Sequence, residues 1–274
     1  MDGPSVSTKF HLAQGDAVAW LRALPSESID LVVTDPPYES LEKHRAIGTT
    51  TRLKHSKSSS NDWFSIFPND RFPELFAEVH RVLRRNTHFY LFCDPETMFV
   101  AKPLAEQAGF KFWKPLIWDK CKIGMGYHYR ARYECILFFE KGKLKLNDLG
   151  IADILKAPRI SGGYPAEKPS AVSETLIQQS TVPGQLVIDP FMGSGSVGVA
   201  AVSHGRMFLG NDLCTEAVDI TRRRLHEASA LEVEAPSVLA VSSATAARGV
   251  SGAGSAGKAQ LGLAGLVRNV GEAS

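Results

Sequence analysis

The chain has 274 residues, of which 44% are hydrophobic and 22% are charged, and its formal net charge is +2. These values are typical of a globular protein with one or two domains and one sizeable core. They exclude nucleic-acid binding through an overall positive charge, so any such surface must be a local patch.

Cysteine usage and hydropathy indicate the cellular location. The four cysteines form no Cys-x-x-Cys pair, and scattered thiols suit a cytoplasmic protein. A zinc site built from Cys121, His128 and Cys135 matches no common finger or ribbon spacing, so we expect no metal. No apolar run is long enough to cross a membrane, and the first eight residues lack the pattern of a signal peptide. We therefore expect a cytoplasmic protein.

From Lys9 to about Glu227, short β-branched or apolar runs alternate with helical patterns. This alternation predicts an α/β fold with a mostly parallel sheet. The predicted strands are residues 10–13, 29–34, 88–93, 112–118, 135–139, 186–189 and 207–211. The predicted helices are residues 17–24, 73–83, 98–108, 171–180, 196–203 and 216–226.

Three segments do not fit the alternation. Residues 39–62 form a polar loop with five basic and three acidic residues, and loops of this length are usually functional or disordered. Residues 141–163 form a second irregular insert. From residue 231 the composition shifts to Ala, Ser, Gly and Val, and no aromatic residue follows Phe208. We therefore expect one domain over residues 1–230, with small inserts at 39–62 and 141–163, and a disordered tail over 231–274.

The first chemical motif is a Gly-x-Gly turn between an apolar strand and a small-residue helix, at residues 188–203. Gly193 and Gly195 let the backbone approach a ligand closely, and the helix N-terminus offers free amide donors. A second strand ends at Asp212, about twenty residues later, where nucleotide-binding α/β units place a carboxylate on ribose hydroxyls. The motif indicates a nucleotide-type cofactor. A plain strand-to-helix turn is the alternative, and because Gly198 completes Gly-x-Gly-x-x-Gly, this motif alone does not exclude NAD.

The second motif is Asp35-Pro36-Pro37-Tyr38, which follows the apolar run 30–34. Prolines fix φ and lack amide donors, so the segment is stiff and its carbonyls are free to accept hydrogen bonds. A fixed carboxylate and a fixed carbonyl can both accept from one NH2 group, and the ring offers a face for a base to stack on. These residues suit the exocyclic amine of adenine or cytosine. Asp-Pro and Pro-Pro also mark ordinary turns, which is the alternative.

The tetrapeptide and the glycine turn, with the tetrapeptide first, together resemble the amino-DNA methyltransferases that modify N6 of adenine or N4 of cytosine. The order is similar to the β group, whose Rossmann-like domain is circularly permuted. Four shorter segments also resemble this family: Gly15-Asp16, residues 117–120 with Tyr129, Arg130 and Glu134, residues 164–169, and residues 208–212. The sequence departs from the family at Tyr164, where histidine is usual, at Ser196, where threonine is usual, and at Asp212, where glutamate is commoner.

The resemblance implies S-adenosylmethionine as cofactor, double-stranded DNA as partner, and base flipping. Methyl transfer would go to an amino nitrogen whose protons are accepted by Asp35 and the Pro36 carbonyl, with Tyr38 stacked on the base. The implied catalytic residues are Asp35, Pro36, Pro37 and Tyr38. The implied cofactor-binding residues are Asp16, Lys168, Pro169, Asp189, Pro190, Phe191, Gly193, Ser194, Gly195, Ser196 and Asp212.

DNA contacts are expected from the basic loop and from a second basic, aromatic cluster made of Lys120, Lys122, His128, Tyr129, Arg130 and Arg132. The candidate residues are Lys43, Arg45, Arg52, Lys54, Lys57, Tyr129 and Arg130. A solvated surface loop and a plain structural hairpin remain the alternatives for these two segments. The Asp-initial tetrapeptide favours adenine over cytosine as a tendency of the family.

Other functions stay open at this point. They are an RNA or protein-amide methyltransferase, an inactive DNA-binding protein, and a nicotinamide dehydrogenase that uses the glycine turn. The motif order opposes the protein-amide enzymes, and the intact Asp35, Tyr38, Gly193 and Gly195 oppose an inactive protein. A homodimer and a cognate restriction nuclease are candidate partners without a signature in the sequence.

Overall fold

The computed structural model describes residues 9–40, 65–124, 128–160 and 167–229. The expected tail, most of the 39–62 loop and the last residues of the 141–163 insert lie outside these ranges. In the part of the chain that is described, no helix is long and apolar enough to cross a membrane. The same ranges contain no group of His, Cys, Asp and Glu side chains that could hold a metal ion.

The fold is built on one eight-stranded sheet in the order β1-β8-β7-β2-β3-β5-β4-β6. The strands are β1 Phe10–Gln14, β2 Ile29–Thr34, β3 Leu83–Cys93, β4 Lys111–Asp119, β5 Tyr133–Lys141, β6 Ile154–Lys156, β7 Leu186–Asp189 and β8 Met207–Asp212. All neighbouring strands run parallel except β5, which is antiparallel to both β3 and β4. This arrangement confirms the predicted α/β fold with a mostly parallel sheet.

In the described ranges, six helices cover the two faces of the sheet. They are α1 Ala17–Ala23, α2 Phe72–Val82, α3 Pro95–Gln107, α4 Ser170–Ser180, α5 Ser196–Ser203 and α6 Thr215–Ser229, with a 3-10 turn at Asn69–Arg71 before α2. Asp16 accepts a hydrogen bond from the Ala19 amide and so caps α1. Asp94 caps α3 in the same way, and Pro95 begins that helix, where a missing amide donor costs nothing.

Two apolar cores lie on opposite faces of the sheet. One contains α1, α2 and α3 and is rich in phenylalanine, and the other lies under α4, α5 and α6. Strand β2 contributes to both, because Val32 joins the first core while Leu31 and Val33 join the second. Every residue of β2 is buried, as expected for a central parallel strand covered on both faces.

The predicted bounds of β2, β7 and α5 agree with the structure, and the other predicted elements differ at their ends. Two features were missed. Strand β3 begins at Leu83, inside the predicted helix 73–83, because its first residues extend beyond the apolar run 88–93. Strand β6 lies in the insert predicted to be irregular and pairs parallel with β4 at the sheet edge. Its residues are largely exposed, so it has no hydrophobic signature.

Gly198 allows helix α5 to lie close against β8. A Cβ atom at this position would lie 2.5 Å from Cε1 of the buried Phe208 ring. The third glycine of the turn therefore has a packing role, which helix–strand contact explains without a dinucleotide.

We expect Gly198→Ala to destabilise the fold by about 1–3 kcal/mol, because the added methyl overpacks the α5–β8 contact. Equilibrium denaturation measures this change. Ser203→Ala, on the exposed side of the same helix, is the matched control and should differ from wild type by less than about 0.5 kcal/mol. Equal free energies of unfolding for the two variants would contradict the packing role.

Candidate catalytic and cofactor site

The two sequence motifs meet at the carboxyl edge of the sheet. Strand β2 pairs in parallel with β7, so Asp35 and the glycine turn leave the sheet side by side. The Thr34 hydroxyl donates a 2.7 Å hydrogen bond to the buried Asp189 carboxylate, and the Phe191 amide donates to the same oxygen. Burial raises the pKa of Asp189 to about 7. A polar bond inside the sheet thus joins the end of β2 to the start of the turn.

The glycine turn has a backbone that requires glycine. Gly193 and Gly195 have positive φ angles of 50° and 78°, which side chains other than glycine rarely adopt. A Cβ atom on Gly195 would also lie 2.5 Å from Cγ2 of Thr221. Arg224 donates to the Ser194 carbonyl at 2.7 Å and pairs with Glu167 at 2.8 Å. Helix α6 and the segment before α4 therefore both hold this turn, which leads into the N-terminus of α5 at Ser196.

Asp212, at the end of β8, braces the turn from the other side. Its two carboxylate oxygens accept hydrogen bonds of 2.9 Å from the Gly193 and Cys214 amides. Burial raises its pKa above the ordinary range. Next to it, the buried Asn211 donates to the Gly15 and Pro190 carbonyls. Among the described residues, its Oδ1 atom has no hydrogen-bond partner.

Asp16 lies at the end of β1 and forms an ion pair that was not predicted. Arg71 donates to its two oxygens at 2.7 and 3.0 Å, and these bonds lower the pKa of Asp16. The Arg71 guanidinium lies over the Phe67 ring, 5.1 Å from its centroid. Phe67 in turn contacts Phe191 edge to face at 5.1 Å. Asp16 is thereby linked through side chains to the glycine turn.

Asp35 stands at one end of a row of alternating charges. Lys168 Nζ lies 2.6 Å from Asp35 Oδ2 and 2.7 Å from Glu134 Oε1. The other oxygen of Glu134 lies 2.7 Å from Lys120 Nζ. The side chains of Lys168 and Glu134 are 11% and 9% exposed, whereas that of Asp35 is 30% exposed. The row is therefore closed to solvent at its centre and open at Asp35.

Burial and pairing act in opposite directions on the pKa values of this row. Burial raises the pKa of Asp35, and the neighbouring Lys168 opposes that rise. Burial alone would lower the pKa of Lys168, but Asp35 and Glu134 together hold it above its ordinary value. Burial alone would raise the pKa of Glu134, yet the two lysines bring it below its ordinary value. Lys168 and Glu134 are thus both charged near neutral pH.

Tyr38 packs into the core directly after the Asp35-Pro36-Pro37 segment. The Phe67 amide donates a 2.7 Å bond to the Pro37 carbonyl, and the Tyr38 ring is only 8% exposed. Burial raises the pKa of its hydroxyl, so the side chain stays neutral. Stacking on a base would require more of the ring face to be uncovered than it is here.

The remaining predicted residues are divided between described and undescribed parts of the chain. Pro169 directly precedes α4, next to Lys168. Tyr129 and Arg130 are exposed between β4 and β5, while the neighbouring Arg132 makes two bonds to Asp119. The five basic loop residues, Lys43, Arg45, Arg52, Lys54 and Lys57, lie outside the described residues.

Sequence reasoning gave no role at this site to five residues: Glu134, Lys120, Arg71, Arg224 and Thr34. Lys120 was considered only as part of a basic cluster that could contact phosphate, and Glu134 only as part of the segment that resembles the family's hairpin. The other three look like ordinary surface or strand residues until the fold brings them to the site.

Fold and site together define a class of protein: an α/β enzyme in which a partly exposed carboxylate follows one strand and a turn suited to a nucleotide cofactor follows the neighbouring strand. The carboxylate motif comes before the cofactor turn in the sequence, which is the permuted order. Comparison with known proteins identifies it further. The model of the DNA methylase family for N6 and N4 enzymes matches residues 29–152 and 150–223. The chain belongs to this DNA methylase family. Membership confirms the predicted class of S-adenosylmethionine-dependent DNA methyltransferases and opposes the dehydrogenase alternative.

Individual relatives agree with this assignment. The chain is 28% identical to the DNA adenine methyltransferase YhdJ of Escherichia coli over 272 residues, covering 85% of this chain and 87% of that protein. It is 26% identical to the type II methyltransferase M2.DpnII of Streptococcus pneumoniae over 244 residues, covering 79% and 90%.

Solved structures share the fold. The complex of M1.HpyAVI with S-adenosylmethionine matches with a TM-score of 0.58 at 22% identity, covering 79% of this chain and 99% of that one. The cytosine-N4-specific PvuII DNA methyltransferase matches with a TM-score of 0.61 at 16% identity, covering 98% and 94%.

We expect Thr34→Val to destabilise the protein more at pH 8 than at pH 5. Because the folded pKa of Asp189 is about 7 and its unfolded value is near 3.8, the folded carboxyl is mostly protonated at pH 5 and ionised at pH 8. The lost hydroxyl bond is charge-assisted only at the higher pH, where its loss should cost about 1–3 kcal/mol.

Urea denaturation at both pH values measures this difference. Thr175→Val is the matched control, because the Thr175 hydroxyl donates to the Ala171 carbonyl, which does not titrate. Its effect should be the same at both pH values. If Thr34→Val also showed no pH dependence, the inferred protonation of Asp189 would be wrong.

Proposed function

We propose that the protein transfers a methyl group from S-adenosylmethionine to N6 of adenine at specific sites in double-stranded DNA. One observation carries the proposal: Asp35 and the Gly193/Gly195 turn leave directly paired strands at the same edge of the sheet. A base amine held by Asp35 would then lie next to a cofactor held by the turn. Neither motif alone specifies this arrangement.

The cofactor proposal rests on the fit of the residues around the glycine turn. Backbone amides at the N-terminus of α5 and the acidic side chains of Asp16 and Asp212 suit the polar groups of a nucleoside. The buried Oδ1 atom of Asn211, which has no hydrogen-bond partner within the described ranges, is a further acceptor in this region. We propose that Asp189, Pro190, Phe191, Gly193, Ser194, Gly195 and Ser196 line this site, with Lys168 and Pro169 at its catalytic end. When bound, S-adenosylmethionine supplies an electrophilic methyl group.

The residues of the chain contribute orientation and hydrogen bonding. An aromatic amine is a poor nucleophile because its lone pair is delocalised into the ring. Asp35 and the Pro36 carbonyl would accept its two hydrogens, which concentrates electron density on the nitrogen and fixes its direction. Pro36 and Pro37 keep the two acceptors rigid. Tyr38 would stack on the flipped base only after its ring, now 8% exposed, is uncovered. Positioning of this kind supplies a large part of a rate enhancement.

Adenine is preferred to cytosine for two reasons. The tetrapeptide begins with aspartate, and the adenine enzyme YhdJ matches most of the chain. N4-cytosine methylation is the alternative, since cytosine presents a similar amine to the same acceptors. Mass spectrometry of nucleosides from DNA of cells expressing the protein tests the choice. Detection of N6-methyladenine would support the proposal. Detection of N4-methylcytosine without N6-methyladenine would show that the target base is cytosine.

The domain and partner assignments follow from this function. We propose residues 1–230 as the methyltransferase domain, with the 39–62 and 141–163 segments in target recognition. Several relatives are type II methyltransferases, which makes a cognate restriction nuclease a reasonable partner to seek. A homodimer and a cytoplasmic location remain predictions.

We expect Asp35→Ala to lose turnover by about 100-fold or more, as when other preorganised hydrogen-bonding groups are removed. Binding of S-adenosylmethionine, measured by calorimetry, should stay within about threefold of wild type, because Asp35 lies outside the glycine turn. Transfer of tritiated methyl groups to DNA measures the rate. Near wild-type turnover in this variant would reject the catalytic assignment.

We expect Lys54→Gln combined with Lys57→Gln to weaken DNA binding and to flatten its dependence on salt, because each lost phosphate contact reduces the slope by about 0.9. The control pair is Arg85→Gln with Lys143→Gln, two exposed residues near the amino end of β3. Titration at several salt concentrations gives both slopes. If the salt dependence of DNA affinity had the same slope in the two double variants, the proposed role of the 39–62 loop in DNA binding would be wrong.

A further inference from the structure

The row of alternating charges consists of Asp35, Lys168, Glu134 and Lys120. A carboxylate that accepts a hydrogen bond does not by itself need three further charged side chains, so the row requires an explanation. Its members come from four parts of the chain: the end of β2, the segment before α4, the start of β5 and the residue after β4. The three contacts that join them are 2.6, 2.7 and 2.7 Å long. The row alternates in sign and sums to zero, which is the arrangement that makes buried charges tolerable.

We propose that Lys168, held by Glu134, is a positioning residue that orients the Asp35 carboxylate and keeps it an acceptor for the substrate amine. The inference rests on the proposed function, because it assigns how the acceptor of that reaction is prepared. Lys168, at the catalytic end of the proposed cofactor site, then acts on the reaction through Asp35, because its ammonium group lies against the Asp35 and Glu134 carboxylates.

The surroundings of Lys168 allow it little freedom. Its Nζ atom lies 5.5 Å from the centroid of the Phe92 ring and 5.8 Å from that of Trp118. The faces of aromatic rings attract a cation. A lysine side chain is flexible, so two carboxylates and two ring faces are needed to hold its ammonium in one place. Lys168 in turn fixes Oδ2 of Asp35, which leaves Oδ1 as the atom to meet an amine from the partly open side.

Glu134 has a different task from Asp35. One of its oxygens lies 2.7 Å from Lys168 Nζ and the other lies 2.7 Å from Lys120 Nζ, and its side chain is 9% exposed. With both oxygens occupied, it holds Lys168 and does not meet the substrate. Lys120, over the Trp118 ring at 4.9 Å, balances the negative charge of Glu134 at the far end.

Asp35 must be ionised to accept hydrogen bonds with either oxygen, and its neighbours pull its pKa in opposite directions. Burial raises this pKa, Lys168 and Lys120 lower it, and Glu134 raises it. Among the residues that the structure describes, the titratable groups that interact with Asp35 are Lys168, Lys120, Glu134, Tyr38, Cys93 and Asp189. The proposal therefore predicts shifts of opposite sign when Lys168 and Glu134 are neutralised.

The test compares wild type with Lys168→Met, Lys168→Arg and Glu134→Gln. Titration of 13C-labelled aspartate carboxyls by NMR follows Asp35 without any need for turnover, and Asp35→Asn assigns its signal. The pH dependence of kcat and calorimetric binding of S-adenosylmethionine are measured in parallel.

In Lys168→Met we expect the Asp35 midpoint and the acid limb of kcat to move up by about one pH unit or more, the usual effect of removing an adjacent opposite charge. In Glu134→Gln both should move down, since glutamine keeps an acceptor for Lys168 but loses the negative charge. Lys168→Arg retains the cation, so its midpoint should stay near that of wild type. It also tests the proposal if Lys168→Met does not fold. Cofactor affinity should stay within about threefold in all variants.

Three outcomes would overturn the proposal: an unchanged midpoint in Lys168→Met, an upward shift in Glu134→Gln, or cofactor affinity that falls in step with turnover in Lys168→Arg. The last would make Lys168 a cofactor ligand. If the wild-type protein methylates no DNA, the proposed function is wrong. The NMR titration would still show whether Lys168 and Glu134 control the ionisation of Asp35. If wild type is active and the midpoints do not move, only the positioning role fails.

Discussion

The parallel pairing of β2 with β7 is the constraint on which the site depends. It sets two motifs that are far apart in the chain next to each other, because parallel strands bring their carboxyl ends to the same edge of the sheet. The Thr34–Asp189 hydrogen bond adds a polar connection at the point where the strands end. Both strands are fully buried between the two cores. The relative position of the Asp35 loop and the glycine turn is therefore fixed by the interior of the fold.

The polar groups near this edge are arranged so that each buried charge has a specific partner. Asp189 is held by a hydroxyl and an amide, Asp212 by two amides, and Asp16 by Arg71. Asp35 is the exception, because its side chain is 30% exposed and, of the described residues, Lys168 pairs with its Oδ2 atom. Charges that are paired inside and open at one end suit a site that must accept hydrogen bonds from a ligand. The two cores on either side, both of which contain several aromatic residues, bury apolar surface that offsets the free-energy cost of placing these polar groups at the edge of the sheet.

Much of the fold was predictable where the pattern is local. Strands β2 and β7 are mostly apolar runs, with Asp30 near the start of β2 and Asp189 at the end of β7. Helix α5 is a run of small residues directly after a glycine turn. The bounds of these three elements were therefore predicted correctly. Strand β6 was missed because an exposed edge strand of three residues has no apolar run. The start of β3 was missed because Arg84, Arg85 and Asn86 are polar, although they continue the strand.

The sequence by itself determined the family, the two motifs and their permuted order, because each is a short run of residues whose chemistry is visible locally. Glycines at positive φ and prolines after an aspartate are specified within a few positions. Only the tertiary structure decided which side chains meet these motifs. Lys168 was expected at the cofactor and lies against Asp35, and Arg71 was not expected at Asp16. Ion pairs of this kind join residues from different elements, and no local period in the sequence records which charges the sheet will bring together.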